Sequence, residues 1–512
     1  MTDRAQLHPL SDQPSSGRHA VVIGSGLAGL LAARVLVDHF DQVTILDRDR
    51  FPDKPEHRKG TPQSFHAHGL PLRGREIIDE LFPGIEADLG AAGASTGRDS
   101  VPFQVVSPFG PLPSRPQPGE FIMYSRFLLE WAIRARLTQY SQLRLLPEAE
   151  AVGLDTSLAG TGAANGRVTG VQVRYRKGAG EGVLAADLVV DASGRGSKAP
   201  QWLATLGYGE VEEEVITSGI GYASRFYAKP DQFPTDWTGL VINGRVPRNP
   251  RAGLILTIEN GQWHVTLGGY ANAAPPTDEA GFMQWARDLP DPTIYEAIRV
   301  ARPLTPIRGY RTPTNRLRHF ERVARWPAGF VVTGDAVCAF NPLYGQGITV
   351  SAMDALVLRQ CLQGHSGGAR AGFEQAFQRR LAKNVATPWF VASTEDLRWP
   401  GVQLQGAPPR RGTALVRRYL DLVLRAAVRD AYLTEKYLSL IMMTAHPRVL
   451  FAPGVLARVA RVVISGKAGI PTQPFALSSQ ALAMLRRLPS ADPPNADAGQ
   501  QLPANSLSRE MT

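Results

Sequence analysis

The apolar positions near the start of the chain fall into three short blocks. His19-Ala20-Val21-Val22-Ile23 is an almost wholly apolar run rich in β-branched residues, which predicts a buried parallel strand. Leu30 to Leu36 continues apolar at helical spacing, and Gln42-Val43-Thr44-Ile45-Leu46-Asp47 reads as a second strand ending in an acid. Much later, four segments with strand-like patterning follow one another: Ile216–Ala228, Leu240–Val246, Ala252–Glu259 and Gln262–Tyr270. Turns containing Pro, Gly and Asn separate them, so they predict an antiparallel sheet walling a cavity. Residues 276–301 predict a helix pair, and residues 412–488 carry helical periodicity, as at Leu415, Tyr419, Leu422 and Leu424.

Between the first strand and helix stands Gly24-Ser25-Gly26-Leu27-Ala28-Gly29. Gly24 permits the tight turn, Gly26 lets a pyrophosphate approach the backbone, and Gly29 lets the helix pack close to the sheet. The helix start offers free N–H groups and a positive dipole end to phosphate. Asp47, 23 residues after Gly24, is placed to accept ribose hydroxyls. Gly-rich turns also occur in unrelated α/β sheets. Strand, helix and acid at these spacings favour dinucleotide binding, without separating FAD from NAD.

Residues 330–347 repeat the strand-turn-helix theme. Phe330-Val331-Val332 runs into Thr333-Gly334-Asp335, and Pro342 and Gly345-Gln346-Gly347 lead into a helical pattern from Ile348. This stretch resembles the GD motif and following loop of flavoprotein monooxygenases of the para-hydroxybenzoate hydroxylase fold. The resemblance implies that Asp335 contacts the flavin-side ribose and that Pro342 to Gly347 lie along the isoalloxazine ring. The positive end of the following helix would stabilise anionic reduced flavin. Arg58-Lys59-Gly60-Thr61-Pro62-Gln63, with His66 and His68, is similar to a segment of a bacterial subgroup that contains the polyether-pathway polyene epoxidases. Ser125-Arg126 matches the position of the family's pyrophosphate-binding arginine, and Asp187 to Ser197, with Asp191 at its centre, resembles a cofactor-side stretch linked to pyridine-nucleotide use. The cofactor-binding residues expected on this basis are Gly24, Ser25, Gly26, Leu27, Ala28, Gly29, Asp47, Arg48, Arg58, Lys59, Arg126, Asp191, Gly334, Asp335, Pro342, Gly345, Gln346 and Gly347.

The expected fold is α/β: a Rossmann-like FAD-binding unit over 18–205 and 300–390, an antiparallel substrate-binding sheet over 206–299, and a helical region over 391–488. Disordered ends are expected at 1–17 and 489–512, where polar and proline-rich composition cannot build a core. The absence of a Trp-x-Trp-x-Ile-Pro stretch argues against a flavin halogenase, and a single Gly-rich βαβ fingerprint argues against a built-in NAD(P)H domain.

Composition narrows the remaining classes. The net charge is +10, but the arginines are scattered and form no basic stripe with aromatics, which argues against nucleic acid. Two cysteines, Cys338 and Cys361, give neither a disulfide framework nor a metal cluster and fit a reducing cytoplasm. His66 and His68 lack a third ligand at metal spacing, so no metal is expected. Tyr222 and Arg225 either face substrate or form an ordinary strand face. The C-terminal helices either cap the cavity as a packed bundle or make peripheral membrane contact.

The resemblance implies reduction by NAD(P)H, directly or through a flavin reductase, and reaction with O2 to a C4a-hydroperoxyflavin. It leans to epoxidation of an apolar polyene. Aromatic hydroxylation, reduction of an isoprenoid-like substrate and a flavin-binding partner without catalysis remain alternatives. No side-chain acid or base is required, so no catalytic residue is assigned.

Overall fold

The computed structural model describes residues 17–98, 101–113, 120–156, 166–176, 180–231, 233, 237–312, 314–363, 372–408, 412–471 and 475–491. Most of both expected disordered ends lies outside the described residues.

A five-stranded parallel sheet forms the base. Its order is Phe330–Val332, Leu188–Asp191, His19–Ile23, Gln42–Leu46, Leu143–Leu146. The central strand is fully buried, which is why its sequence shows a continuous apolar run rather than alternation. Helix Leu27–Leu36 follows it, and helix Gly347–Gln363 packs alongside that helix. The core of this unit joins the strands to Leu30, Leu31, Ile133, Leu358, Phe377 and Trp389.

The second layer is a seven-stranded sheet, ordered Arg308–Thr312, Ile220–Ala228, Gln262–Gly269, Arg251–Thr257, Trp237–Ile242, Val101–Ser107, Gly110–Pro111. All four expected strand segments contribute strands, and the expected helix pair is present as Glu279–Arg287 and Thr293–Arg299. The sheet also recruits strands from outside 206–299. Val101–Ser107 pairs parallel with Trp237–Ile242, and Arg308–Thr312 pairs with Ile220–Ala228. The segment 216–228 is split. Glu213–Thr217 belongs to a separate four-stranded sheet, and the chain turns at Gly219 (φ +56°), where an added Cβ would collide with Asn272.

The C-terminal helices Thr413–Ala427, Ala431–Ile441 and Pro453–Ile464 share a core of Val423, Leu433, Leu450 and Val455 with Val105 of the seven-stranded sheet. Among the described residues no helix is long and apolar enough to cross a membrane.

Candidate functional site

A cavity of about 1110 Å³ runs between the two sheets and under the C-terminal helices. It starts at the first glycine turn. Gly24 has φ +97°, and a Cβ there would stand 2.7 Å from the Ala192 carbonyl oxygen. At Gly29 a Cβ would lie 1.9 Å from the carbonyl oxygen of Gly24, so helix and turn touch through backbone. Gly26 is different. Nothing lies within 4 Å of the position of its Cβ, and its φ of −68° suits any residue. The packing of the chain does not require glycine there, whereas a phosphate seated at the helix start would. That open cradle is the observation by which the site fits a dinucleotide.

Gly26, Leu27, Ala28, Asp47 and Arg48 line this end; Gly24 does too, while Ser25 and Gly29 stand behind it. The Asp47 carboxylate accepts hydrogen bonds from the Ser25 N–H (2.8 Å) and Ser25 Oγ (2.6 Å). Arg58, 3% exposed, sits behind the acid. It donates to Glu130, 2.7 Å from Nε, and stands 3.5 Å from Asp47 and 3.6 Å from Asp49. Burial opposes its charge, but Glu130 and Asp47 outweigh burial and hold the guanidinium pKa above its ordinary value. Arg58 therefore sets positive charge behind Asp47 from outside the cavity wall, while Lys59 is exposed and does not line the cavity.

Arg126 opens helix Arg126–Leu137, whose start is capped by Ser125 Oγ accepting from Leu128 N. Its guanidinium lines the cavity and donates to His68 Nε2 at 3.2 Å, while Nε is buried without a hydrogen-bond partner. Asp191 is fully buried. It accepts from Ser193 N and Ser197 Oγ, and so shapes the turn whose Ser193, Gly194 and Arg195 reach the cavity.

The two glycine turns meet. A Cβ on Gly334 (φ +64°) would stand 2.6 Å from Ala28 Cβ, and Asp335 lines the same cavity as Gly26. The Gly334 N–H donates to Asp354, whose acid is pushed up to about 7 by burial despite that bond and the one from Asn384. Beyond it, Asn341 to Gly347 form a continuous strip of cavity wall, in which Gln346 Oε1 is buried and unpartnered. Arg195 ties the strip to the seven-stranded sheet, donating to the Phe340 carbonyl and to Thr312 Oγ1.

Past this strip the wall becomes mostly apolar. Val241, Leu254 and Leu256 come from the seven-stranded sheet, and Leu420, Leu424 and Met442 from the C-terminal helices. Tyr222 faces the cavity with its hydroxyl buried and unpartnered, and stacks on Tyr310 at 5.8 Å. Arg225 does not face it; its guanidinium bonds Glu279 and the Thr305 carbonyl. His66 packs 5.2 Å from the Tyr222 ring and shares a hydrogen bond with Ser224 Oγ. Burial pushes its pKa down to about 4, helped by His57, and burial also pushes His68 well down, so both rings are neutral at pH 7. Among the described residues no group of His, Cys, Asp and Glu is arranged to hold a metal. Cys338 is a buried thiol that burial pushes up, as expected of a packed residue.

Sequence reasoning missed several residues of this site. Glu130 lies four positions after Arg126 on one helix face, a spacing that could have suggested it. Tyr310, Trp399 and Asp396 carried no motif. Trp399 stacks on Tyr270 at 4.8 Å in the cavity wall.

No protein-family model matches the chain. A flavoprotein/dehydrogenase from Cytophaga hutchinsonii superposes with a TM-score of 0.58 at 15% identity, over 88% of this chain and 99% of that one. The 2-methyl-3-hydroxypyridine-5-carboxylic acid oxygenase superposes with a TM-score of 0.52 at 18% identity, over 75% of this chain and 92% of that one. These likenesses show the fold, that of the FAD-binding monooxygenases of the para-hydroxybenzoate hydroxylase type. Protein Rv3254 of Mycobacterium tuberculosis (strain ATCC 25618 / H37Rv) is 32% identical over 436 residues, 82% of this chain and 88% of that protein. The chain belongs to the family of Protein Rv3254.

Proposed function

We propose that this protein is an FAD-dependent monooxygenase that transfers one oxygen atom from O2 to an apolar small molecule, with an alkene of a polyene-like chain as the favoured target. The observation that carries the reading is one continuous cavity shared by Gly26, Asp335 and a mostly apolar wall. At about 1110 Å³ it exceeds the roughly 300–1,000 Å³ of an ordinary single-ligand pocket. We read it as taking a nucleotide at the glycine end and an apolar molecule at the sheet end.

Bound and reduced, FAD would supply the activation of O2. The chain's own residues supply the rest. Backbone N–H groups at Gly26 to Ala28, with Arg126, would hold the pyrophosphate, and Asp47 and Asp335 would take ribose hydroxyls. Backbone at Gly345 to Gly347 would face the ring system. The apolar wall excludes water and holds the target carbon against the cofactor. Neutral His66, in the cavity wall, is available to hydrogen-bond an oxygen on substrate or product. NAD(P)H is the electron donor we expect, directly or through a reductase.

The test is incubation of purified protein with FAD, NADPH, a linear polyene and ¹⁸O₂. Label in the product is the expected result. A reduced product without label would replace this reading with a reductase. Label on an aromatic ring from a phenol, with no turnover of the polyene, would make it a hydroxylase. Protein that never holds FAD would end the reading.

A further inference from the structure

Asp396 closes helix Phe373–Asp396, is 1% exposed and does not line the cavity. Its Oδ1 accepts from Asn341 Nδ2 at 2.6 Å and from the Tyr344 hydroxyl at 2.8 Å, and its Oδ2 accepts from Asn315 Nδ2 at 2.5 Å. Asn341 Oδ1 in turn accepts from Leu343 N at 3.0 Å. One carboxylate thus grips both ends of the Asn341–Tyr344 turn and fastens it to strand Asn315–Arg318. Every residue from Asn341 to Gly347 lines the cavity.

We propose that Asp396 is the positioning residue of this turn, its carboxylate fixing the pose in which the backbone of 341–347 meets the ring system of bound FAD. The inference rests on the flavin reading above. Three donors converge on two oxygens, an arrangement that suits a carboxylate and not a carboxylic acid. On protonation Oδ2 would carry a hydrogen facing the Asn315 amide NH2, and that contact would be lost or the amide would turn. Asn315 Oδ1 is buried and unpartnered, ready to accept after such a turn.

Burial pushes the Asp396 acid up to about 6, against the pull of Asn341, Tyr344 and Asn315, and with Glu395 adding like charge. The other titratable groups that feel it are Tyr344, Tyr270 and Tyr222, all pushed up by burial and neutral here, and Glu395, whose acid burial also pushes up against its pairing with Arg398. The carboxylate is therefore lost as pH falls through about 6, inside the range where oxidised free flavin does not titrate.

The experiment is the visible absorbance of the oxidised holoprotein from pH 5 to 8. The wild type is expected to show an inflection near pH 6. Asp396→Asn should lose it and weaken FAD binding about tenfold. Asp354, pushed up by burial to about 7 beside Gly334, should leave its own inflection in both proteins. Tyr344→Phe removes one donor to the charged form, so its lower inflection should move above that of the wild type; this variant carries the test if Asp396→Asn does not fold. An unchanged lower inflection in either variant overturns the proposal, as does a yellow wild type with no inflection near pH 6. A wild type that binds no FAD overturns the flavin reading and this inference together.

Discussion

At the dinucleotide end of the cavity much of the wall is backbone, and several of the polar side chains behind it are tied to one another. Gly24 and Gly26 bring main chain to the surface, and Ser25, Asp47, Arg58 and Glu130 form one chain of contacts behind it. At the sheet end the wall is side chain. Leu254, Leu256, Leu424 and Met442 meet the cavity through apolar atoms, and the Tyr222 hydroxyl has no partner. The first end is built for one fixed ligand whose charges must be met in place. The second is built by shape, with few polar groups to fix what enters. Substitutions at the two ends should therefore fail in different ways.

The largest effect separates two glycines within the first end. Gly29→Val forces side-chain atoms into a space where even a Cβ would lie 1.9 Å from the Gly24 carbonyl oxygen. It should cost about 4 kcal/mol of stability, read as a lower urea midpoint of the FAD-free protein. Gly26→Ala meets nothing within 4 Å, so the FAD-free protein should keep its midpoint while FAD binding weakens at least about tenfold. Equal destabilisation by the two would show that Gly26 serves packing and not a ligand.

Next in size is a pair across the two ends. Glu130→Gln removes the carboxylate nearest the buried Arg58, leaves its charge facing Asp47 and Asp49 at 3.5 and 3.6 Å, and should cost about 3 kcal/mol. Because Arg58 also sets positive charge behind Asp47, FAD affinity should fall with it. Leu256→Ala, at the sheet end, enlarges a space that already exists and should cost about 2 kcal/mol. It should leave FAD affinity alone and raise the KM for an apolar substrate. Flavin titration and denaturation of both variants check this, and a Leu256→Ala protein that loses FAD would erase the distinction between the ends.

The same contrast explains what the sequence made legible. The glycine turns were readable because strand, turn and helix adjoin in the chain and each residue's task is local. The strand segments of the second layer were readable from their patterning. Their partners were not: Val101–Ser107 joins Trp237–Ile242 across more than a hundred residues, with no signal in either. Tyr222 and Arg225 stand three apart on strand Ile220–Ala228, so alternation turns them to opposite faces, and Arg225 points away from the cavity to Glu279 and Thr305. Asp396 was invisible because it is a single acid in a helix, and its three donors come from residues 52 to 81 positions away. Ser25 and Arg58 carried family motifs, yet the structure gives them to Asp47 and not to the cavity wall.

The smallest effect concerns two histidines of opposite surroundings. His319, outside the cavity lining, turns Nε2 to Glu214 at 3.2 Å and Nδ1 to Glu321 at 2.8 Å. Burial opposes its charge, but the two carboxylates win and raise its pKa to about 9. A pKa raised on folding gives stability that is complete below the unfolded value of about 6.5 and disappears as pH rises through about 9. His66, in the cavity wall, is pushed the other way, to about 4, so its share is complete above about 6.5 and is lost as pH falls towards 4. His319→Gln should thus cost on the order of 2 kcal/mol at pH 6 and almost nothing at pH 9.5, measured as urea midpoints. His66→Gln should narrow the gap between pH 7 and pH 4 without altering the alkaline side. A His319→Gln cost that is the same at pH 6 and pH 9.5 would mean that the imidazolium is not what Glu214 and Glu321 hold, and that the polar networks away from the cavity are neutral like the rings within it.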